Sequence, residues 1–248
     1  MMSKPFSLDL SGRTALVIGG SGGIGNAIAQ AFRAHRATVH VWGTKERAAD
    51  YAGIAGSDLD GLHYQQMDVS DFGAVEAYQP PFDRLDILVQ SQGSVLYRRQ
   101  EFAIPSFRQV VDVNLISIMA CANKFEALLV ETSGTMIVVS SSAAYHATRG
   151  NPAYNASKAG AVGLVRTLAQ AWADKGVRVN GIAPGFVPTR LTAVTVEDTK
   201  RSEAAVSRIP MGRFGTPEEM AGVAMFLASP LASYVTGQTV LADGGMLL

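Results

Sequence analysis

The sequence is poor in cysteine, histidine and net charge. Its single cysteine, Cys121, excludes an internal disulfide, and its four histidines show no metal-ligand spacing. The 21 basic and 21 acidic residues cancel, so the charge indicates neither a nucleic acid nor a membrane surface as partner. No run approaches the ~18 apolar residues of a membrane span. Residues 1–6 lack the apolar core of a signal peptide, and we therefore expect a soluble cytoplasmic protein.

Short apolar runs alternate regularly along the sequence with stretches in which apolar residues recur at helical spacing. Apolar residues make up 48% of the chain, enough for the core of one large α/β domain. The alternation predicts a doubly wound parallel sheet of about seven strands, with helices on both faces, in a single Rossmann-like domain over residues 1–248. The strand candidates are Thr14–Ile18, Thr38–Trp42, Leu62–Gln66, Asp86–Val89, Thr135–Val139, Val177–Ile182 and Thr239–Leu241.

The second strand is followed by a polar stretch from Lys45 that is predicted to be helical. Two later connections are less regular. Residues 69–85 form a short crossover in which Pro80-Pro81 must end any helix. Residues 190–216 are polar and irregular until Thr216, which is predicted to cap a helix that begins at the following proline. A long polar insertion after a strand is either a substrate lid or an ordinary surface loop, and both interpretations stay open.

A glycine-rich turn, GGSGGIG at residues 19–25, lies between the first strand and a helix over 23–34. Glycines there let the backbone approach a pyrophosphate, whose charge the helix N-terminus stabilises, so the turn predicts a dinucleotide site. At the end of the second strand, neither Gly43 nor Thr44 is the acid that binds the ribose of NAD. Lys45 and Arg47 suit a 2′-phosphate instead, which favours NADP(H) over NAD(H), although a solvated helix start explains them equally.

Tyr154 and Lys158 are four residues apart in a predicted helix and therefore share one face. A tyrosine has a pKa of about 10 and is a poor base at neutral pH, but a neighbouring ammonium favours its phenolate. Such a pair suits proton exchange with an alcohol or carbonyl oxygen. Ser141 follows the strand over 135–139, and its hydroxyl is placed to hydrogen-bond the same oxygen.

Together these motifs resemble the short-chain dehydrogenase/reductase family, in its single-domain branch of ~250 residues. The resemblance runs from Gly12 to Met246, in the order and at about the spacing of the family. The residues that carry it are the glycine turn, Asp68-Val69-Ser70, LDILV at 85–89, Asn114, Ser141, Tyr154 with Lys158, Pro184-Gly185 with Thr189, and GRFGTP at 212–217.

The resemblance implies a role for each matching residue. Tyr154 is expected to be the general acid/base, and Ser141 to orient the substrate oxygen. Lys158 is expected to lower the pKa of the phenol and bind the nicotinamide ribose, and Asn114 to position a water behind it. The expected cofactor contacts also include Gly19, Ser21, Gly23, Ile24, Gly25, Thr44, Lys45, Asp68, Val69, Gln90, Gly93, Pro184, Gly185, Val187 and Thr189.

Two departures from the family pattern affect cofactor affinity and local stability more than the chemistry. Ile18 replaces the usual threonine before the glycine turn, and Gln90-Ser91-Gln92 replaces Asn-Asn-Ala before Gly93. Gln90 or Ser91 is expected to substitute for the asparagine that supports the central strand. The resemblance also suggests that helices near 105–131 and 153–175 pack between subunits of a homotetramer or homodimer, with packing inside one subunit as the alternative.

The predicted function is an NAD(P)-dependent oxidoreductase that interconverts a small-molecule secondary alcohol and a ketone. Both 3-oxoacyl-thioester reductases and sugar-acid or polyol dehydrogenases fit the family pattern. A catalytically silent dinucleotide-binding regulator is the alternative from another class. Arg98, Arg99 and Arg149 lie near the predicted site, and we expect at least one to bind an anionic group of a hydroxy or oxo acid. The alternative is that they are solvated or lie at a subunit contact.

Overall fold

Seven parallel strands form one sheet in the computed structural model, which describes residues 7–248. The strand order is β3-β2-β1-β4-β5-β6-β7. The expectation drawn from residues 1–6 lies outside the described residues. The strands are β1 Thr14–Ile18, β2 Thr38–Gly43, β3 His63–Gln66, β4 Ile87–Gln90, β5 Thr135–Val139, β6 Arg178–Pro184 and β7 Thr239–Ala242.

Helices cover both faces of this sheet. The apolar runs of β1, β4 and β5 are buried on both sides, as expected of central strands in a parallel sheet. One core forms between the sheet and the helices α1 and α8, and the other forms beneath α2, α4 and α5. The predicted doubly wound fold is therefore confirmed. The helices are α1 Gly23–Ala34, α2 Phe72–Ala77, α3 Ile104–Val111, α4 Ser117–Thr132, α5 Pro152–Trp172, α6 Ala193–Val196, α7 Thr199–Val206 and α8 Pro217–Ala228.

Helices α3 and α4 form one continuous stretch over Ile104–Thr132, joined by a π-helical segment at Asp112–Ile116. By length and composition this stretch is apolar enough to cross a membrane. It nevertheless buries Ile118, Phe125 and Leu129 completely or nearly so against the sheet. That packing is the behaviour of a core helix in a globular protein.

The chain after β2 differs from the prediction. The helix expected from Lys45 is absent, and a single 3₁₀ turn at Ala48–Tyr51 takes its place. Gly53, Gly56 and Gly61 follow, all with φ between 66° and 74°, a conformation that an α-helix cannot contain. These glycines lead the chain back to β3 in turns.

The other two irregular connections agree better with the sequence. The crossover over 69–85 contains only the six-residue α2, and the chain is extended at Tyr78 before the two prolines. Thr216 caps α8 in a reciprocal capping box with Glu219. Residues 190–216 are less irregular than predicted, because they contain the short helices α6 and α7.

The strand order reverses between β1 and β4, which are neighbours in the sheet although β2 and β3 separate them in sequence. The connections after these two strands therefore leave the sheet in opposite directions. In open α/β sheets, this divergence opens a crevice at the carboxyl ends of the strands, where ligands bind. The glycine turn follows β1 and Gly93 follows β4, so both predicted motifs lie at that crevice.

Candidate active site

A cavity of about 610 Å³ lies at the carboxyl ends of the strands. A larger groove of about 1150 Å³ runs along α1 and α8, but it contains none of the predicted catalytic side chains. Many of the predicted catalytic and cofactor-binding residues line the smaller cavity. They are Gly19, Ser21, Gly23, Ile24, Thr44, Asp68, Val69, Gly93, Ser141, Tyr154, Lys158, Pro184, Gly185, Val187 and Thr189. The structure therefore brings most of the predicted site together. Gly25, Lys45, Gln90, Asn114 and the three arginines lie outside its wall.

The glycine turn fits a phosphate group. Gly19 and Gly23 have φ angles of 75° and 55°, which a residue with a side chain rarely adopts. Gly22 is the N-cap of α1 and offers no side-chain oxygen to the free N–H groups, and the first turn has no acidic residue. The N–H of Gly23 donates to the carbonyl of Gly56 at 2.8 Å, whereas the N–H groups of Ile24 and Gly25, with the positive end of the helix dipole, are available to an anion. Gly25 lies beneath the turn, where a Cβ would be 2.9 Å from the carbonyl carbon of Gly19.

The end of β2 is closed by Tyr51. Its hydroxyl accepts hydrogen bonds from the backbone N–H groups of Thr44 and Lys45, at 3.1 and 3.2 Å. A Cβ at Gly43 would lie 2.6 Å from that hydroxyl, so glycine is required there. The Lys45 ammonium lies 5.4 Å from the centre of the Tyr51 ring and is turned towards it. Arg47 forms an ion pair with Asp50, 3.0 Å apart, on the surface.

Tyr154 and Lys158 lie in the first two turns of α5, and Ser141 lies just beyond β5. Burial raises the pKa of the Tyr154 phenol, and a hydrogen bond with Ser141 acts against that shift. The Ser141 hydroxyl also accepts the N–H of Ala143 at 3.1 Å, which orients it. The phenol and the serine hydroxyl therefore point to one region, as proton transfer to a single substrate oxygen requires.

Lys158 is almost fully buried behind Tyr154. Its Nζ donates to the carbonyl oxygen of Val139 at 2.9 Å and lies 5.7 Å from the centre of the Tyr154 ring. Burial lowers the pKa of this ammonium to about 8. Near neutral pH the group therefore stays mostly protonated, and its charge stabilises a phenolate nearby.

Asn114 is fully buried in the π-helical segment between α3 and α4. Its Oδ1 accepts the N–H of Ser94 at 2.7 Å, and its Nδ2 donates to Ser94 O at 2.9 Å and to Ser157 Oγ at 3.1 Å. A Cβ at Gly93 would lie 3.6 Å from Lys158 Nζ and 3.8 Å from Asn114 Oδ1. Asn114 is thus adjacent to Lys158 but behind the cavity wall. π-Bulges are frequent at functional sites.

The departure at Gln90-Ser91-Gln92 is explained by packing. Gln90 Nε2 donates to the carbonyl of Ile118 at 3.0 Å, and Gln92 Nε2 donates to Gln90 Oε1 at 3.1 Å and Ser117 Oγ at 2.9 Å. The Gln90 amide fastens β4 to α4 and does not line the cavity, whereas Gln92 joins the same hydrogen bonds and lines the cavity. The structure therefore does not place the Gln90 side chain at the cofactor site, and it gives Gln90 the strand-supporting role.

The segment after β6 forms the part of the cavity wall that faces the glycine turn. Gly185 packs so closely that a Cβ would lie 2.7 Å from the Asp243 backbone. Thr192 Oγ1 accepts the N–H of Thr189 at 2.9 Å and donates to Val187 O at 2.7 Å, which fixes the bend at 187–192. Thr189 faces Gly23 across the cavity, since a Cβ at Gly23 would lie 3.2 Å from its methyl group. The bend at 187–192 thus lies directly against the glycine turn.

The three arginines predicted to contact substrate are exposed and do not line the cavity. The Arg99 guanidinium stacks 4.3 Å from the centre of the Phe102 ring. Arg98 and Arg99 both have positive φ, 56° and 62°, in the loop that follows β4. Arg149 lies in the loop before α5.

Neither Arg190 nor Tyr97 was predicted from the sequence to belong to the site. Arg190 lines the cavity, and its Nη2 would lie 2.9 Å from a Cβ at Gly22, so its guanidinium covers the glycine turn. Its position directly after Thr189 was the available signal. The Tyr97 hydroxyl donates to the carbonyl of Leu191 and so joins the loop after β4 to the segment 190–216. No sequence pattern predicts that contact.

A family model described as Enoyl-(Acyl carrier protein) reductase matches residues 19–247. The chain belongs to the short-chain dehydrogenase/reductase family. It is accordingly an NAD(P)-dependent oxidoreductase that interconverts hydroxyl and keto groups.

Relatives within the family carry different names. A 3-oxoacyl-[acyl-carrier-protein] reductase FabG of Chlamydia muridarum is 36% identical, with 96% of this chain and 98% of the relative covered. A 2-dehydro-3-deoxy-D-gluconate 5-dehydrogenase of Pseudoalteromonas atlantica is 37% identical over 99% of both chains. Among solved structures, an RhlG/NADP active-site complex of Pseudomonas aeruginosa has a TM-score of 0.88 at 31% identity, covering 99% of this chain and 100% of that one. The family is thus clear, and the relatives differ in substrate.

Proposed function

We propose that this enzyme interconverts the ketone and secondary alcohol of a small hydroxy or oxo acid with NADP(H), with Tyr154 as general acid/base. The observation that carries the proposal is the arrangement of Ser141, Tyr154 and Lys158 in one cavity. The glycine turn lines the same cavity. A dinucleotide that binds along the cavity has its phosphates at α1 and its other end beside these three residues.

The residues divide the chemistry among them. When bound, the nicotinamide ring supplies or accepts the hydride. Ser141 holds the substrate oxygen by a hydrogen bond. Tyr154 donates a proton to that oxygen in reduction and removes it in oxidation. The Lys158 charge stabilises the phenolate form that remains. Asn114 acts from behind Lys158, where it fixes Ser94 and the backbone beside Gly93.

The residues proposed to hold the cofactor follow the cavity from end to end. The N–H groups at the start of α1 would hold the phosphates, and the end of β2 together with Asp68 would hold the adenosine. Lys158 and the segment after β6 hold the nicotinamide end. Besides Lys158 and Tyr154, the proposed contacts are Gly19, Ser21, Gly23, Ile24, Thr44, Asp68, Val69, Gly93, Pro184, Gly185, Val187 and Thr189.

A preference for NADP(H) over NAD(H) is supported by the charges near β2. No acid stands at Gly43 or Thr44 to repel a 2′-phosphate, and Lys45 lies beside Tyr51, which lines the cavity. The similar solved structure from Pseudomonas aeruginosa is a complex with NADP. Of the two basic residues proposed from the sequence, Lys45 is the better placed, because Arg47 is already paired with Asp50.

We expect Lys45→Ala to lower the ratio of kcat/KM for NADPH to that for NADH by about three- to tenfold, since a charge-assisted contact on an exposed site contributes about 1 kcal/mol. Arg47→Ala is the matched control and should leave the ratio unchanged. Steady-state kinetics with both cofactors measure it. A wild-type enzyme that uses NADH equally well, or a Lys45→Ala ratio equal to wild type, would contradict the preference.

A small acid is the proposed substrate because three arginines lie on loops whose neighbouring residues line the cavity. Arg98 and Arg99 lie on the loop after β4, whose Tyr97 contacts the 190–216 segment. Arg149 lies in the loop between Ser141 and Tyr154. One relative is named for a sugar acid, which supports this class, and another for a 3-oxoacyl thioester, which keeps the second class as the alternative.

Alanine replacement of Arg98, Arg99 and Arg149, one at a time, should raise KM for an acid substrate in at least one variant while its neutral analogue is unaffected. An ordered charged hydrogen bond contributes about 1.5–3 kcal/mol, which corresponds to roughly ten- to a hundredfold in KM. Arg166→Ala, on the exposed side of α5, is the control. Equal treatment of acid and neutral substrates by all three variants would exclude this substrate class.

A substrate screen followed by NAD(P)H absorbance tests the proposed function as a whole. Sugar acids, polyols and 3-oxoacyl thioesters are compared with both cofactors in both directions. Turnover of a hydroxy or oxo acid supports the proposal, and turnover only of the thioesters or of neutral ketones favours the other substrate classes. Cofactor binding without any turnover would favour the regulator.

The proposal also covers the segment 190–216, the oligomeric state and the cellular location. Residues 190–216 act as a substrate lid, which is supported by the position of Arg190, Leu191 and Thr192 on the cavity wall. The assembly is a homotetramer or homodimer, supported by the partly exposed Ile116 and Met119 on the π–α4 helix, and light scattering measures it. The enzyme works in the cytoplasm, and cell fractionation tests this location.

A further inference from the structure

Glu101 is a fully buried carboxylate close to the catalytic tyrosine, and nothing in the family resemblance assigned it a role. It lies in a 3₁₀ turn at Gln100–Phe102, at the end of the loop that begins after β4. Within residues 7–248 it forms no salt bridge. Burying an unpaired charge is costly unless hydrogen bonds compensate for the lost water. Its partners therefore indicate what it does.

The hydrogen bonds of Glu101 join two parts of the site. Oε2 accepts the N–H of Tyr154 at 2.9 Å, and Oε1 accepts the N–H of Leu96 at 3.0 Å. The side chain of Asn151 donates to Oε1 at 3.3 Å and to Leu96 O at 3.0 Å. One carboxylate thus binds the loop after β4 on one side and the start of α5 on the other.

The contact with α5 occupies a position that usually belongs to a capping side chain. Asn151 is the N-cap of α5 but makes no capping hydrogen bond of its own. The N–H of Tyr154, in the first turn, receives its acceptor from Glu101 instead. A negative charge at a helix N-terminus is also favoured by the helix dipole. The loop after β4, through Glu101, therefore supplies the N-terminal cap of the catalytic helix α5.

That loop needs an external support. Arg98 and Arg99 are consecutive residues with φ of 56° and 62°, and such conformations persist only where surrounding contacts hold them. Leu96 is held by Glu101 and Asn151 just before the strained pair. Arg99 stacks on Phe102 just after it.

We propose that Glu101 is a positioning residue that holds the loop bearing Arg98 and Arg99 against the first turn of the catalytic helix. Substrate arginines and the proton-transferring tyrosine are then set at a fixed separation by one carboxylate. This inference rests on the proposed function for the role of the arginines, but not for the contact with Tyr154.

The charge of Glu101 has a measurable consequence at the phenol. The titratable groups facing the Tyr154 phenol are Tyr97 and Glu101 from the loop and Lys158 from α5, and Ser141 hydrogen-bonds it. Burial is the main reason that the phenol pKa is raised, and the charges of Tyr97 and Glu101 add to it. Removing the Glu101 charge should therefore lower the pKa of Tyr154.

The test compares Glu101→Gln with Asn151→Ala, using Glu76→Gln on the exposed side of α2 as control. In Glu101→Gln we expect kcat to fall about ten- to a hundredfold, because misplacement of reacting groups by about 1 Å costs that much. Its phenol should titrate at lower pH than in wild type. In Asn151→Ala we expect KM for the acid substrate to rise while the phenol titration stays as in wild type, because the Glu101 charge is retained.

The phenol titration is measured by tyrosinate absorbance, as the difference between each protein and the same protein carrying Tyr154→Phe. This readout needs no substrate, so it tests Glu101 even if the wild-type enzyme turns over none of the compounds in the screen. Lower melting temperatures with unchanged kcat, KM and titration in both variants would show that Glu101 is merely structural and would overturn the proposal. A phenol titration that does not move in Glu101→Gln would overturn it as well.

Discussion

Tyr154→Phe should abolish turnover while the protein still binds its cofactor. The phenol hydroxyl is the proton donor and acceptor at the site, and loss of general acid/base catalysis typically costs about 10²–10⁴-fold in kcat. The ring itself remains, so the packing against Lys158, whose Nζ lies 5.7 Å from the ring centre, is retained. We therefore expect the cofactor dissociation constant to change less than about threefold. Rapid kinetics and NADPH fluorescence measure the two quantities.

The pH dependence provides a second signature of the same residue. Ketone reduction needs the protonated phenol, so wild-type kcat should fall as the pH rises through the pKa of Tyr154, which burial raises. Tyr154→Phe should lack that decline. Tyr234→Phe, at a fully exposed tyrosine, is the control for the loss of a hydroxyl. A Tyr154→Phe enzyme that keeps more than about a tenth of the wild-type kcat would remove Tyr154 from the role.

Gly25→Ala should weaken cofactor binding by at least about tenfold, or about 1.4 kcal/mol. An added Cβ would lie 2.9 Å from the Gly19 carbonyl carbon, closer still to its oxygen, and 3.2 Å from the Gly20 Cα. These are backbone atoms of the turn itself, so they cannot rotate away. The turn must open, and its N–H groups then lose their common direction towards the phosphates. Fluorescence titration with NADPH measures the affinity.

The same substitution should lower the free energy of unfolding by about 1–3 kcal/mol, as inserted methyl groups do in packed sites. The control is Gly73→Ala, at an exposed position in α2. The nearest neighbour of an added Cβ there would be Asp71 Oδ1, at 3.5 Å. It should change stability by no more than about 1 kcal/mol and leave NADPH affinity alone. If Gly25→Ala binds NADPH as tightly as wild type, the glycine turn is not the phosphate site.

The fold and about half of the residues that line the cavity were predictable because the signals are local. Seven apolar runs alternate with helical periods, and the observed strands differ from the predicted ones by at most two residues at an end. The glycine turn, Tyr154 with Lys158, and the segment after β6 are each contiguous in sequence. In a parallel sheet, the segments that follow the strands necessarily meet at the carboxyl edge.

The sequence did not predict where a side chain points when contacts with residues distant in sequence decide its direction. Gln90 is the last residue of β4, and its amide hydrogen-bonds with Ile118 and Gln92 instead of lining the cavity. The helix expected from Lys45 is replaced by turns, because three glycines with positive φ outweigh a weak polar pattern. Arg190 and Tyr97 acquired their contacts from the path of the 190–216 segment.

By itself, then, the sequence determined the order of the strands along the chain and the identity of the residues at the ends of β1, β5 and β6, since hydrophobic period and glycine conformation act over a few residues. Only the tertiary structure decided that Glu101 caps the catalytic helix, that Arg190 covers the glycine turn and that Asn114 hydrogen-bonds to Ser94. Each of these contacts joins segments separated by tens to more than a hundred residues. Their partners are set by packing of the whole sheet and its helices, which no local pattern encodes.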